Sequence, residues 1–167
     1  LPISKGFAPM PSWTAVPEHQ EMKTGELVLT TYKVATQIHS RSQNCKWLTE
    51  IYHDNPAWIN PITAAGLGVG DGDTIKVTSA IGEIETTAQV TAGVVPGTIA
   101  ISHHCGHWEY GRYASGNKAP GGIDDPDFDR KWWKKNGAHP NWLIPNAADP
   151  LSGQLRFMDT VVTVTKA

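Results

Sequence analysis

Short segments rich in β-forming residues recur along the chain and predict a protein built mainly of strands. Such segments cover residues 26–34, 57–60, 74–79, 83–91, 98–102 and 160–165, with turn residues between them. Several of them alternate apolar and polar residues, which places one face of the strand in a core. We expect that one shared interior contains Ile75, Val77, Ile99, Val162 and Val164. Short strands in this number are typical of a closed barrel.

Other segments interrupt this pattern and predict different local structure. Pro61 suits the first turn of a helix over residues 62–67, and the glycine-rich residues 68–73 supply the turn into the next strand. By contrast, residues 35–47 are polar and predict a long loop, and residues 109–150 are irregular. An irregular stretch of that length inside a compact domain is usually functional.

Length and charge narrow the class of protein. The 167 residues, 40% of them hydrophobic, suit one domain with its own core, and the net charge of −2 argues against a nucleic-acid binder. No run approaches the roughly 18 to 20 apolar residues that cross a bilayer, so we expect no membrane insertion. The start at Leu1 is proline-rich and lacks a signal-peptide pattern. We therefore expect residues 1–25 to be a connector from an upstream domain, followed by the domain itself over residues 26–167.

A dense run of polar side chains directly follows the first predicted strand. Its donors and acceptors suit a large polar heterocycle, although a solvated loop would have the same composition. The run comprises Thr36, Gln37, His39, Ser40, Arg41, Ser42, Gln43 and Asn44.

A histidine cluster follows the fifth predicted strand and allows two interpretations. His103, His104 and His107 could form a metal site, but two adjacent residues on an extended chain point to opposite faces, and Cys45 and Cys105 form no CxxC pair. Gly106 instead suggests a close approach of the backbone to a ligand. We therefore assign no metal ligand here and expect histidines that are structural or contact a cofactor.

A third polar segment precedes the last strand. Asn141 and Asn146 carry amides that both donate and accept, as reading a base or pterin edge requires, and Trp142 lies beside them. Asparagine is equally common in turns. No serine, cysteine or carboxylate has an evident catalytic partner along the chain, so we assign no catalytic residue.

The order of these segments resembles the molybdopterin-dinucleotide-binding domain of the dimethyl-sulfoxide-reductase family of molybdenum and tungsten oxidoreductases. The resemblance runs from about Glu26 to the C-terminus. Its most specific part is residues 55–73, which combine a short strand, an alanine-bearing helix and a Gly-Asp-Gly-Asp turn. The run from His39 to Asn44, followed by Trp47 and Leu48, looks closest to the thiosulfate and polysulfide reductase branch. Arsenate and tetrathionate reductases are also similar.

This resemblance implies a mainly-β fold, a double-psi β-barrel with short helices and a long irregular insertion, which binds molybdopterin guanine dinucleotide. Carried over by position, the cofactor contacts would meet on one face of the barrel. They would come from Thr36, Gln37, His39, Ser40, Arg41, Ser42, Gln43, His103, His104, Gly106, His107, Asn141, Trp142 and Asn146. Residues 108–138 depart from the usual connection, and no role is carried over to them.

The resemblance also implies partners. Upstream domains of the same catalytic subunit would hold the molybdenum or tungsten, an iron–sulfur subunit would transfer electrons, and this chain alone would be inactive. Membership of the thiosulfate and polysulfide branch would imply the periplasm or the outer face of the cytoplasmic membrane.

Two other classes of function stay open at this point. Small barrels of this topology also serve as stand-alone binding modules, as in the substrate-recognition domains of protein-remodelling ATPases. A small metalloprotein could use His103, His104 and His107, and a stoichiometric transition metal in the purified chain would favour it. The amide-rich loop and the Asn-Trp-Leu segment favour the cofactor interpretation.

Overall fold

The predicted strands all form in the computed structural model, which describes residues 6–10, 12–106 and 137–167. Their observed bounds agree closely with the predicted ones. They are β1 (Leu27–Tyr32), β2 (Ala57–Ile59), β3 (Thr74–Thr78), β4 (Glu83–Val90), β5 (Thr98–Ser102) and β6 (Thr160–Lys166).

The six strands close into a barrel in the order β1-β5-β2-β4-β3-β6. Strands β1 and β5 are parallel, as are β2 and β4, and the other pairs are antiparallel. This arrangement confirms the predicted fold class, a mainly-β barrel of the double-psi type.

The hydrophobic core fills the inside of this barrel. Every apolar residue that the alternation assigned to the interior is at most 5% exposed, so the predicted shared interior is confirmed. Because the barrel closes, it leaves no open sheet edge in the described part of the chain. A closed barrel with its own core is expected to fold independently.

The predicted helix after β2 is also present, as α3 (Pro61–Leu67). The Asn60 side chain caps its start by accepting a hydrogen bond from the backbone N–H of Ile62 at 3.0 Å. Gly68 ends it in the left-handed conformation, with φ of 68°.

The segment predicted as a long loop after β1 is more ordered than expected. It contains a 3-10 helix (His39–Asn44) and a short α-helix, α2 (Lys46–Ile51). The prediction of a long loop over residues 35–47 was therefore wrong where these helices lie. Trp47 and Ile51 are exposed on α2, so the helix presents no buried apolar stripe that the sequence could have signalled.

A further short helix, α1 (Pro17–Gln20), lies in the segment interpreted as a connector. His19 Nε2 lies 2.8 Å from the carbonyl oxygen of Asp159, and Glu18 forms an ion pair of 3.0 Å with Arg156. This part of the segment therefore contacts the chain just before β6. None of the helices in the described ranges is long and apolar enough to cross a membrane.

Candidate functional site

One end of the barrel, here called the upper rim, gathers the polar segments that the sequence singled out. Strands β1 and β5 are parallel and both finish at this rim, and β6, antiparallel to β1, begins there. The segments after β1, after β5 and before β6 therefore meet although they are far apart in sequence.

A cleft of about 450 Å³ opens between these segments. Its size falls within the range of about 300 to 1,000 Å³ that is typical of small-molecule sites. Polar side chains from all three segments line it, together with the apolar side chains of Ile144 and Phe157. The polar lining consists of Thr31, His39, Ser40, His103, His139 and Asn141.

A fully buried asparagine, Asn55, joins two of these segments. Its Nδ2 donates to the carbonyl of Ser102 at 2.8 Å and to that of Ala138 at 2.6 Å, and its Oδ1 accepts from the N–H of Ala138 at 2.8 Å. Gly137 lies so close that a Cβ there would collide with the Asn55 side chain. The chain leading into the last 3-10 helix (Pro140–Trp142) is thereby held against the end of β5.

The same close packing explains Gly106. This residue has φ of 87°, and a Cβ on it would collide with the backbone of Ala138 and His139. The glycine therefore permits a close approach of two protein segments at this point, in the left-handed conformation that glycine adopts at little cost.

The histidines after β5 lie on the same side of the chain. The His103 and His104 rings stack with centroids 4.3 Å apart, so the expectation that they point to opposite faces was wrong. The extended conformation ends at Ser102, and alternation of side chains therefore stops before these two residues. His39 joins them from the 3-10 helix, with ring centroids 5.4 Å from His103 and 5.9 Å from His104.

His104 is the buried member of this group. Its Nδ1 lies 3.0 Å from Ser102 Oγ, while its Nε2 has no hydrogen-bond partner among the described residues. Burial, followed by the nearby charges of His103, His39 and Lys33, lowers the pKa of His104 to about 4. The same kinds of cause lower the pKa of His103, burial first. Both imidazoles are therefore neutral at neutral pH.

The other predicted site residues fall into distinct positions. Gln37 and Ser42 are buried and bond to each other, and Gln37 Nε2 also donates to the carbonyls of Leu48 and Tyr52 at 3.1 and 2.8 Å. These two side chains stabilise the loop from within rather than lining the cleft. Arg41, Trp142 and Asn146 are exposed, and Thr36 is half-buried. Gln43 belongs to the 3-10 helix, and the prediction for His107 lies outside the described residues.

Sequence reasoning missed the contributions of His139, Phe157 and Asn55 to this rim. His139 lines the cleft and caps the last 3-10 helix, where its Nδ1 accepts from the N–H of Asn141 at 3.1 Å. The His-Pro step before Asn141 was the available signal for that cap. Nothing in the sequence indicated that Phe157 would reach the cleft.

Comparison with known proteins places this geometry in a family context. Residues 27–161 match the family model described as the molydopterin dinucleotide binding domain. The molybdopterin-containing subunit of arsenate respiratory reductase from Shewanella sp. (strain ANA-3) is 33% identical over 78% of this chain. That of thiosulfate reductase from Salmonella typhimurium (strain LT2) is 28% identical over 78% of it. The matched region spans 15% of the length of each of these two relatives.

A solved structure shares the fold. The acetylene hydratase from Pelobacter acetylenicus superposes with a TM-score of 0.68 and 18% identity, over 99% of this chain and 22% of that one. At this identity the likeness concerns the fold alone.

Proposed function

Since the chain belongs to the molydopterin dinucleotide binding domain family, whose members bind a molybdopterin dinucleotide, we propose that it binds this cofactor in the cleft of the upper rim. The observation that carries the proposal is the meeting of three separate polar segments around one cleft. The barrel topology brings the segments to one rim, and their polar side chains line a cleft there of the size that a small-molecule ligand needs.

The groups around the cleft fit such a ligand chemically. Asn141 and Ser40 offer donors and acceptors to a heterocycle, and the buried Nε2 of His104 is a polar atom without a partner in the described part of the chain. Lys33 is exposed nearby, and its charge lowers the pKa of both His103 and His104. A cation in that place suits the phosphates of a dinucleotide. Ile144 and Phe157 offer apolar contact to a flat ring.

The larger protein is proposed to be a molybdenum- or tungsten-dependent oxidoreductase related to the arsenate, thiosulfate, polysulfide and tetrathionate reductases. The bound cofactor would supply a metal centre for two-electron oxygen-atom or sulfur transfer. This domain would position the guanine dinucleotide and pterin of the cofactor. Other domains of the same subunit would hold the metal, and an iron–sulfur subunit would deliver electrons. On this proposal the chain is inactive by itself.

The proposal is tested by cofactor content in the full-length polypeptide that carries this domain. Asn141→Ala removes an amide from the cleft, and losing one hydrogen bond worth about 0.5 to 1.5 kcal/mol weakens binding roughly two- to tenfold. We expect less pterin and less molybdenum per polypeptide, measured by fluorescence of the oxidised pterin and by metal analysis.

Gln89→Ala provides the matched control, because it removes an exposed amide from strand β4, away from the cleft. It should leave cofactor content unchanged. Equal content in the Asn141→Ala and wild-type proteins after extensive dialysis would contradict the placement of the cofactor at this rim.

A further inference from the structure

Three imidazoles from two separate segments come together at the upper rim. His39 comes from the 3-10 helix after β1, and His103 and His104 follow β5. One ring nitrogen from each lies within 4.8 Å of the other two. The metalloprotein alternative considered from the sequence used His107, whereas the structure brings His39 to the other two histidines.

His104 is already oriented as a ligand. It is fully buried, and Ser102 Oγ contacts both its Nδ1 at 3.0 Å and its backbone N–H at 3.3 Å. A partner on one ring nitrogen fixes the ring and directs the other nitrogen, which is the usual arrangement of a metal-binding histidine. The other nitrogen here is Nε2, which is buried and has no hydrogen-bond partner within the described ranges.

His39 presents its ring from an uncommon backbone conformation. Its φ of 47° makes it the one non-glycine residue of the described ranges in the left-handed region. Such conformations are uncommon outside glycine and often occur at functional sites. The side chain is exposed, so its ring can rotate toward the other two imidazoles.

We propose that His39, His103 and His104 form a binding site for one divalent transition-metal ion, such as Zn²⁺, in the cofactor-free domain. Zinc–nitrogen bonds of about 2.0 to 2.1 Å require ligand nitrogens at most about 4.2 Å apart. The three nitrogens lie within 4.8 Å of one another, so the rings must rotate to bring them slightly closer around one ion. Imidazole nitrogens without carboxylates favour zinc, copper or nickel over magnesium or calcium. His39 and His103 line the cleft, so an ion held here would be accessible from it.

The charge of Lys33 opposes a cation but does not exclude one. This side chain is exposed, so the surrounding water weakens the repulsion between its charge and a bound ion. Metal binding here does not depend on the cofactor, so the two proposals fail separately.

In the experiment, the 167-residue chain is titrated with Zn²⁺ in a calorimeter. It is also titrated with Co²⁺ while the visible absorption spectrum is recorded. We expect one ion per chain and a rise in melting temperature with Zn²⁺. Loss of a residue that only orients a metal ligand typically weakens metal binding by roughly tenfold or more. Replacing one of the three histidines should therefore weaken Zn²⁺ binding at least as much. His104→Ala removes the buried ligand. His39→Asn removes an exposed imidazole, and asparagine tolerates the left-handed conformation, so the fold is retained.

His19→Ala is the matched control, because His19 contacts Asp159 and does not belong to the group. It should bind Zn²⁺ like the wild type. The proposal is overturned if the chain binds no stoichiometric ion. It is equally overturned if His39→Asn binds Zn²⁺ with unchanged affinity, since the ion then lies elsewhere.

Discussion

Replacing Asn55 with alanine should loosen the upper rim and lower the stability of the barrel. The side chain is fully buried and makes three hydrogen bonds, at 2.8, 2.6 and 2.8 Å, to Ser102 and Ala138. The carbonyl of the buried Ser102 would lose this partner. An unsatisfied buried polar group costs about 1 to 3 kcal/mol. Ala138 is half-buried, so water can replace part of the hydrogen bonding that its backbone loses.

These contributions sum to about 2 to 4 kcal/mol, against a total stability of about 5 to 15 kcal/mol. For a domain of this length the melting temperature should fall by roughly 5 to 12 °C. Asn55→Asp keeps the acceptor for the Ala138 N–H but turns an oxygen toward two carbonyl oxygens. It should therefore be less stable than Asn55→Ala at neutral pH.

Thermal unfolding by circular dichroism measures the loss, and the histidine ring signals in nuclear magnetic resonance report the rim. Asn60→Ala is the matched control, because Asn60 also makes two side-chain hydrogen bonds but lies beyond the opposite end of β2. Both variants should melt earlier, and Asn55→Ala should also shift the ring signals of His103 and His139. A wild-type melting temperature for Asn55→Ala, or an equal shift of those signals in Asn60→Ala, would contradict this role of Asn55.

Further predictions concern the core and the buried histidine. Val162→Asp should unfold the domain, because it places an unpaired charge at a core position that is 1% exposed. Thr163→Asp, on the exposed side of the same strand, should stay folded. Urea unfolding distinguishes the two variants, and a soluble Val162→Asp protein with wild-type stability would refute the core assignment. The pKa of His104 is lowered in the folded state, so the unfolded chain binds more protons below about pH 6.5 and stability should fall as pH drops toward 4. Urea unfolding at pH 7 and pH 5, with a metal chelator present, should show a smaller decrease for His104→Gln, and an equal decrease in both proteins would contradict this role.

The strands could be predicted because their signal is local. Val162 and Val164 alternate with threonine, and Ile75 and Val77 follow a glycine-rich turn. The alternation in each strand therefore predicts which of its faces is buried. Helix α2 could not be predicted in the same way. Its apolar residues Trp47 and Ile51 are exposed, and short helices without a buried face carry little sequence signal.

The polar segments of the site were visible in the sequence, but the individual roles of their residues were not. Gln37 and Ser40 look alike as hydrogen-bonding residues of one polar run, yet Ser40 lines the cleft, whereas Gln37 is buried and bonds inside the loop. The contribution of His139 depends on Asn55, which bonds to the neighbouring Ala138 across 83 residues of sequence. Such long-range contacts leave no local pattern.

Hydrogen exchange in the full-length polypeptide, with and without bound cofactor, tests the central claim most directly. Bound cofactor should slow exchange of backbone amides in residues 36–44, 102–106 and 139–146, since these segments meet around the cleft. Exchange at the opposite end of the barrel, in residues 68–73 and 91–97, should stay the same. Protection confined to that opposite end, or equal exchange in both forms at all three upper-rim segments, would contradict the account.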